Sequence, residues 1–262
     1  MTQNIFRSIF RRYIVITPIL LVLIVAQMEE YSQLTTSGTF GAAIRLAIPI
    51  MLAGLGGLYS EKTGVVNIGL EGMMIMGTWF GAWGGFTFGA WQGVFIGMLG
   101  GALFGLIHAI ATVSFQVDHI VSGVAINILA AGVARFLSVV AYADVPAGGA
   151  TQSPRVDERI EKISIPYLSG GKINESDTAD VFGSLEALDL FLISDLFGLL
   201  GGLTRNISYF SILAVLLVPV SVWILWSTSF GLQLRSVGEY PVGSESVGVN
   251  VYLMKYIGVT IS

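Results

Sequence analysis

The chain has 262 residues, of which 54% are hydrophobic and only 11% are charged, and it contains 33 glycines. An ordinary water-soluble domain, with half of its residues at the surface, could hardly carry this composition, so a membrane protein is indicated. Cysteine is absent, which excludes disulfides and thiolate metal sites. The net charge of −4 becomes informative only when it is divided along the chain.

The first predicted membrane span covers residues 13–26 and follows Arg7, Arg11 and Arg12. No small-x-small cleavage signature comes after it, so the segment is interpreted as an uncleaved span rather than a signal peptide. Under the positive-inside rule, the arginines and the amino terminus then lie in the cytoplasm.

The longest uncharged run, residues 72–117, predicts two spans. As one helix it would be roughly 69 Å long, about twice what a hydrocarbon layer of ~30 Å needs. We therefore expect it to fold back, with a turn near residues 89–92. The other predicted spans are residues 40–59, 120–142 and 207–228.

The apolar run at residues 251–262 is too short to cross the membrane, and we expect a truncated chain that stops as a seventh span begins. The prediction is a single transmembrane domain over residues 1–262. Its fold class is all-α, a polytopic helical membrane protein with about six complete spans and the start of a seventh.

Two polar segments interrupt this pattern. Residues 143–205 contain ten acidic and five basic residues and are predicted to form an extracytoplasmic loop, in which residues 184–203 form a helix on the membrane surface. Residues 231–250 are predicted to lie in the cytoplasm, because they carry Arg235 and follow the sixth span. There, Pro241 and Gly248 are typical of the start and the end of a short helix.

Glycine recurs at every fourth position across residues 77–105. Overlapping small-xxx-small motifs let helices pack closely in lipid, so we predict that they join the two helices of the hairpin. The predicted helix-packing residues are Gly77, Gly81, Gly85, Gly97, Gly101 and Gly105.

Polar residues within apolar sequence are the candidates for a substrate path. Asn67 and Glu71 are four residues apart and would share a helix face, and Asn127 lies in the fifth span. Glycines around this pair are consistent with either a cytoplasmic loop or a re-entrant helix break at residues 60–72. Glu61, Lys62, Asp118 and His119 are interpreted as headgroup residues at span ends.

No catalytic signature is found. There is no HExxH motif and no convincing metal cluster, and His108 is interpreted as an interhelical hydrogen-bonding residue. Residues 56–63 approach a phosphate-binding P-loop, but Glu61 replaces its glycine and would repel phosphate. We therefore expect a transport subunit rather than an enzyme, with no cofactor or metal bound by this chain and no nucleic-acid partner.

Three blocks resemble the permease subunits of bacterial and archaeal ABC importers for nucleosides, within a larger group of sugar and branched-chain amino-acid permeases. They are residues 53–74 (AGLGGLYSEKTGVVNIGLEGMM), residues 118–127 (DHIVSGVAIN) and the segment from residue 234 (LRSVGEYP) to residue 250. Residues 157–180 look like an insertion in this family's pattern, and the spans expected after residue 262 are missing.

The resemblance implies an importer of the cytoplasmic membrane, surrounded by lipid. Its expected partners are a second permease subunit, a pair of cytoplasmic ATPases that bind and hydrolyse ATP, and an extracytoplasmic substrate-binding protein. It also implies that the cytoplasmic segment couples the ATPases to the spans. The implied coupling residues are Arg235, Gly238, Glu239, Pro241, Glu245 and Gly248.

Alternatives of two kinds remain open. Within the importers, the substrate is expected to be a nucleoside, with simple sugars or branched-chain amino acids as the alternative. From a different class, an ion-coupled carrier or channel would use Glu71 and Asp118 as proton or cation sites. A membrane scaffold would explain the glycines but leave the polar residues unexplained.

Overall fold

The computed structural model describes residue 17 and residues 36–157, 160–173, 176–188 and 193–262. The helices of these residues are α1 (Ser37–Lys62), α2 (Leu70–Phe88), α3 (Ala90–Ala109) with a π-helical turn (Ile110–Ser114), α4 (His119–Tyr142), α5 (Val181–Glu186), α6 (Ile193–Thr204), α7 (Tyr209–Ser227), α8 (Ser229–Glu239), α9 (Pro241–Ser246) and α10 (Val251–Ile261). The strands are β1 (Lys162–Ile163), β2 (Lys172–Ile173), β3 (Ser176–Asp177) and β4 (Ile207–Ser208).

Four of the described helices are long and apolar enough to cross a membrane, namely α1, α3 with its π-helical turn, α4 and α7. Helix α2 has 19 residues but is not one of the four, since its glycines, its tryptophans and Glu71 lower its mean hydropathy. The predicted span at residues 13–26 lies outside the described residues, apart from residue 17. The structure thus supports a helical, multi-pass membrane protein but not the predicted count of six spans and part of a seventh.

Helices α2 and α3 form the predicted hairpin, which turns at Gly89 with a φ of +108°. A Cβ on Gly97 would lie 2.8 Å from the carbonyl oxygen of Gly77, and a Cβ on Gly93 would lie 2.6 Å from the Cα of Gly85. These pairings run antiparallel. Since no larger residue fits at such distances, the two backbones approach each other as glycine alone allows.

The remaining glycines of the series are less uniform. A Cβ on Gly97 would also lie 3.1 Å from the Cα of Gly81, whereas Gly101 has more room, since its added Cβ would lie 3.6 Å from the nearest atom of α2, the Met73 carbonyl oxygen. Gly105 packs instead against α10, where a Cβ would lie 3.1 Å from the carbonyl oxygen of Val259. The series therefore joins α3 to two different helices.

The described residues fall into two compact units, those of 1–48 with 161–212 and those of 49–160 with 213–262. In the second unit, α2, α3 and α4 enclose an apolar cluster that includes Met76, Phe104 and Ala130. Another cluster joins Val65, the end of α3 and its π-helical turn to the C-terminal half of α10, through Val113 and Val259. The tight helix contacts leave most large apolar side chains on the outer faces, as a bilayer-facing protein requires.

The unit formed from residues 1–48 and 161–212 contains residues 161–205 of the predicted polar loop. The prediction of one continuous surface helix over residues 184–203 is wrong, since α5 ends at Glu186, a turn follows, and α6 begins at Ile193. Part of the apolar surface of α5 and α6 packs between these two helices, since the rings of Phe182 and Phe197 lie 5.6 Å apart. Antiparallel pairing of β1 with β4 and of β2 with β3 adds strands that the all-α prediction omitted.

The segment after α7 is more helical than predicted. The short helix expected between Pro241 and Gly248 is present as α9. It is preceded by the 11-residue helix α8, which was not predicted from the sequence. Helix α8 begins where the Thr228 hydroxyl accepts a hydrogen bond from the Gly231 amide at 3.1 Å. Threonine at this position is a common helix cap.

Candidate functional site

A non-helical connection, residues 63–69, separates α1 from α2. Gly64 adopts a φ of +81°, which ends α1, and the Ser60 hydroxyl donates to the Val65 carbonyl oxygen at 2.7 Å. The Thr63 hydroxyl donates to the Ser60 carbonyl oxygen at the same distance. The connection is therefore an ordered turn between two helices rather than a continuous helix.

Asn127 of α4 binds both sides of the point where α2 begins. Its side-chain oxygen accepts from the Gly72 amide at 2.8 Å, and its side-chain nitrogen donates to the Ile68 carbonyl oxygen at 3.1 Å. The first amides of a helix lack partners within the helix, so this side chain satisfies one of them from a neighbouring helix.

Glycines allow this close approach. A Cβ on Gly72 would lie 2.8 Å from the Ile126 carbonyl oxygen, and a Cβ on Gly123 would lie 2.9 Å from the Gly69 amide nitrogen. The start of α2 thus rests on the backbone of α4.

Asn67 and Glu71 do not share a helix face, so that part of the sequence prediction is wrong. Asn67 lies in the connection and is 6% exposed, with its side-chain oxygen accepting from the Gly69 amide at 3.0 Å. This local side-chain contact competes with helix formation, which delays the start of α2 to Leu70. Glu71 is exposed in the first turn of α2, where a negative charge favours the helix dipole.

The start of α4 explains two of the predicted headgroup residues. Asp118 caps the helix, since its carboxylate accepts from the amides of Ile120 and Val121 at 2.9 and 3.1 Å. The His119 Nδ1 accepts from the Val66 amide at 3.3 Å, which ties the 63–69 connection to α4 a second time.

His108 makes the predicted interhelical contact. It is fully buried in α3, and its Nδ1 lies 2.9 Å from the Ser122 hydroxyl of α4. Within the described part of the chain, no group of three His, Asp or Glu side chains is placed to hold a metal ion.

Gly238, at the end of α8, lies directly against the 63–69 connection. A Cβ on Gly238 would lie 2.3 Å from the Lys62 carbonyl oxygen and 2.9 Å from the Gly64 amide nitrogen. Such distances exclude any side chain at position 238 unless the backbone moves. The segment predicted to face the ATPases therefore contacts the stretch predicted to form the substrate path.

Trp226 of α7 contacts a cation from each of the two helices that meet here, α1 and α8. The Lys62 ammonium and the Arg235 guanidinium lie 5.9 and 5.8 Å from the centre of its ring, in cation–π geometry. Arg235 is half-buried, so its position is set within this chain, whereas Glu239 is exposed.

Helix α9 and the residues beside it expose aromatic and aliphatic side chains. Pro241 occupies its first turn, and Gly248 follows its end with a φ of +87°. Tyr240, Val242 and Val247 are each at least 66% exposed around it. Exposed aromatic and aliphatic residues on a short rigid helix are well suited to insert into a partner's pocket.

A groove of about 640 Å³ separates α9 from the 63–69 connection. Ile68, His119 and Glu245 line it from three elements, with Gln116 and Lys255. Gln116 has a φ of +53°, a backbone conformation that non-glycine residues rarely adopt.

Comparisons with known proteins identify the family of this chain. Residues 39–262 match the model of a family described as "Branched-chain amino acid transport system / permease component". The guanosine ABC transporter permease protein NupQ of Bacillus subtilis is 40% identical over 229 residues, covering 84% of this chain and 62% of the relative. The nucleoside ABC transporter permease protein NupC of Lactococcus lactis is 33% identical over 221 residues, covering 82% and 60%.

A more distant relative, the putative glucose ABC transporter permease protein TsgC13 of Haloferax volcanii, is 28% identical over 233 residues and covers 86% of this chain and 59% of its own length. The chain thus spans about three-fifths of the length of these relatives. No solved structure matches it. The resemblance found in the sequence is confirmed, and the chain belongs to the permease-component family of the branched-chain amino acid transport systems.

Proposed function

We propose that this chain is the membrane-spanning part of a permease subunit that imports nucleosides at the expense of ATP hydrolysed by a partner. The observation that carries the proposal is the contact of Gly238 with the Lys62–Gly64 backbone. It connects a surface suited to a partner with the connection that Asn127 holds on α4. In this proposal the chain itself binds no nucleotide cofactor.

The proposed mechanism has three steps. ATP binding closes the cytoplasmic ATPase pair, which pushes on α9 and its exposed residues Tyr240, Val242 and Glu245. The displacement passes through Gly238 to the turn at Gly64. The turn then shifts the start of α2 against α4, which alternates the access of the path near Asn67, Glu71 and Asn127.

The same proposal assigns sides and partners. Residues 231–250 and the amino terminus lie in the cytoplasm, and residues 143–205 face the opposite side, where an extracytoplasmic binding protein delivers the substrate. A second permease subunit completes the path. Nucleoside is the first choice of substrate because two relatives that are at least 33% identical are named for guanosine or nucleosides.

A sugar is the second candidate, because the relative from Haloferax volcanii is named as a putative glucose permease. The ion-coupled alternative has less support, since the Asp118 carboxylate is already engaged by two backbone amides as a helix cap.

The test is uptake of radiolabelled guanosine, uridine, ribose, glucose and leucine by proteoliposomes that contain the complete transporter. We expect ATP-dependent uptake of the nucleosides alone. ATP-dependent uptake of ribose, glucose or leucine instead would overturn the substrate, and uptake driven by an ion gradient without ATP would overturn the transport class.

A further inference from the structure

Arg135 is a cation within α4, one of the helices that are long and apolar enough to span a membrane. Its side chain is exposed, and it takes part in neither of the two ion pairs formed among the described residues. A guanidinium stays charged at physiological pH, so Arg135 carries its charge into the span without a carboxylate from the described part of its own chain.

Its depth follows from the length of the helix. Helix α4 has 24 residues, or about 36 Å, against a hydrocarbon layer of ~30 Å. Arg135 precedes the last residue, Tyr142, by seven positions, or about 10 Å. The Cα of Arg135 therefore lies roughly 7 Å inside the nearer edge of the hydrocarbon layer when the helix is centred and upright.

Long cationic side chains near helix ends usually extend to the headgroups. Cα–Cβ bonds in a helix tilt toward its N-terminus. Arg135 lies near the C-terminal end, so its side chain starts out toward the middle of the span rather than toward the nearer headgroups. Helix geometry thus makes it harder for the guanidinium of Arg135 to extend to the headgroups.

Arg45 shows the opposite case and provides a matched control. It lies eight positions after Ser37, the first residue of α1, and it is also exposed. Its N-terminal tilt carries it toward the nearer end of its helix, and one of its terminal nitrogens lies 3.3 Å from where a Cβ on Gly41 would be. The side chain of Arg45 therefore starts out toward the nearer headgroups, in contrast to that of Arg135.

The face of α4 around Arg135 is open. A Cβ added to Gly132, one turn closer to the middle of the helix, would meet no atom within 4 Å. A charge at this depth is costly against lipid and is normally directed to a polar cavity or to a hydrogen-bond acceptor.

We propose that Arg135 faces the substrate path of the assembled transporter and donates hydrogen bonds to the N7 and O6 acceptors of a purine nucleoside. The planar guanidinium fork matches two adjacent acceptors, which is the geometry that arginine uses on guanine edges. A neutral substrate with such acceptors provides the partner that the described part of the chain does not. This proposal rests on the proposed nucleoside transport and assigns its purine selectivity to one residue.

The experiment compares guanosine with 7-deazaguanosine, which lacks the N7 acceptor, as substrates of the complete transporter in proteoliposomes. Wild-type transporter is expected to prefer guanosine, and Arg135→Gln is expected to reduce this preference about tenfold, the size of one hydrogen bond from a charged donor. Arg45→Gln should keep the wild-type ratio. Selection by the binding protein is the same in every variant and cancels when the ratios are compared.

Arg135→Lys keeps the charge without the fork and is expected to give an intermediate ratio. It also provides the readout when Arg135→Gln fails to insert, which the yield of assembled complex reports. An unchanged ratio in an assembled variant would overturn the role of Arg135, as would an equal loss of both substrates. Absence of ATP-dependent guanosine uptake in the wild type would instead refute the proposed function on which this role rests.

Discussion

At the scale of single residues, Asn127 does more than its sequence pattern suggested. Its two hydrogen bonds hold the Ile68–Gly72 backbone against α4. Its position in a predicted span made it a candidate, but no sequence rule states which backbone groups a span residue meets. Asn67 shows the same limit, because its spacing to Glu71 suggested one helix face while its side chain instead stabilises the connection.

Replacement of Asn127 by alanine should loosen the start of α2. Loss of a partner for a buried polar group costs about 1–3 kcal/mol, so the Gly72 amide is expected to exchange its hydrogen faster by roughly fivefold or more. Hydrogen exchange of the purified transporter in nanodiscs measures this. Asn127→Asp is the control, since it keeps the oxygen that accepts from Gly72, and equal exchange in Asn127→Ala would contradict the role of that oxygen.

At the scale of elements, the hairpin of α2 and α3 was predictable and α8 was not. The length of the uncharged run required a turn, and the four-residue glycine period indicated a close contact, which the Gly77–Gly97 approach provides. Helix α8 lacks a long apolar run, so a search for spans passes over it. Its Thr228 cap was the available local signal.

The two helices of the hairpin should separate when a glycine at their contact gains a side chain. A Cβ on Gly97 would lie 2.8 Å from the Gly77 carbonyl oxygen, and overpacking of this kind costs about 1–3 kcal/mol. Gly97→Ala is therefore expected to lower the midpoint of thermal unfolding in detergent. Gly54→Ala, where a Cβ meets nothing within 4 Å, should leave the midpoint unchanged or higher. A Gly97→Ala protein as stable as the wild type would contradict the close contact.

The short helix α9 and its flanks should transmit force only when their surface fits the ATPase. Glu239 is exposed at the end of α8, so Glu239→Arg reverses a charge at this surface without disturbing packing inside the chain. ATP hydrolysis is expected to continue while uptake falls at least fivefold. Asp144→Arg makes the same charge change at an exposed position on the proposed opposite side of the membrane and should keep the wild-type ratio of uptake to ATP hydrolysed. Wild-type uptake by Glu239→Arg would exclude this residue from coupling.

At the scale of the whole molecule, the family and the membrane class could be predicted from composition and three sequence blocks. The contact between residues 231–250 and the 63–69 connection could not. The sequence separates Gly64 from Gly238 by 174 positions, and only the folded chain brings them so close that a Cβ on Gly64 would lie 3.4 Å from the Cα of Gly238. Long-range contacts between glycines leave no periodic or charge signal. The contact of α8 with the 63–69 connection therefore could not be predicted from the sequence.

The most direct test of the proposed role of this contact measures ATP hydrolysis and guanosine uptake in the same proteoliposomes. It compares the wild type, Gly238→Ala and Gly54→Ala. A Cβ on Gly238 would lie 2.3 Å from the Lys62 carbonyl oxygen, so it must displace the turn that is proposed to receive the motion. Gly238→Ala is expected to assemble and hydrolyse ATP but to import little guanosine, and Gly54→Ala is expected to match the wild type. Guanosine import by assembled Gly238→Ala at the wild-type ratio to ATP hydrolysed would contradict the proposed role of this contact.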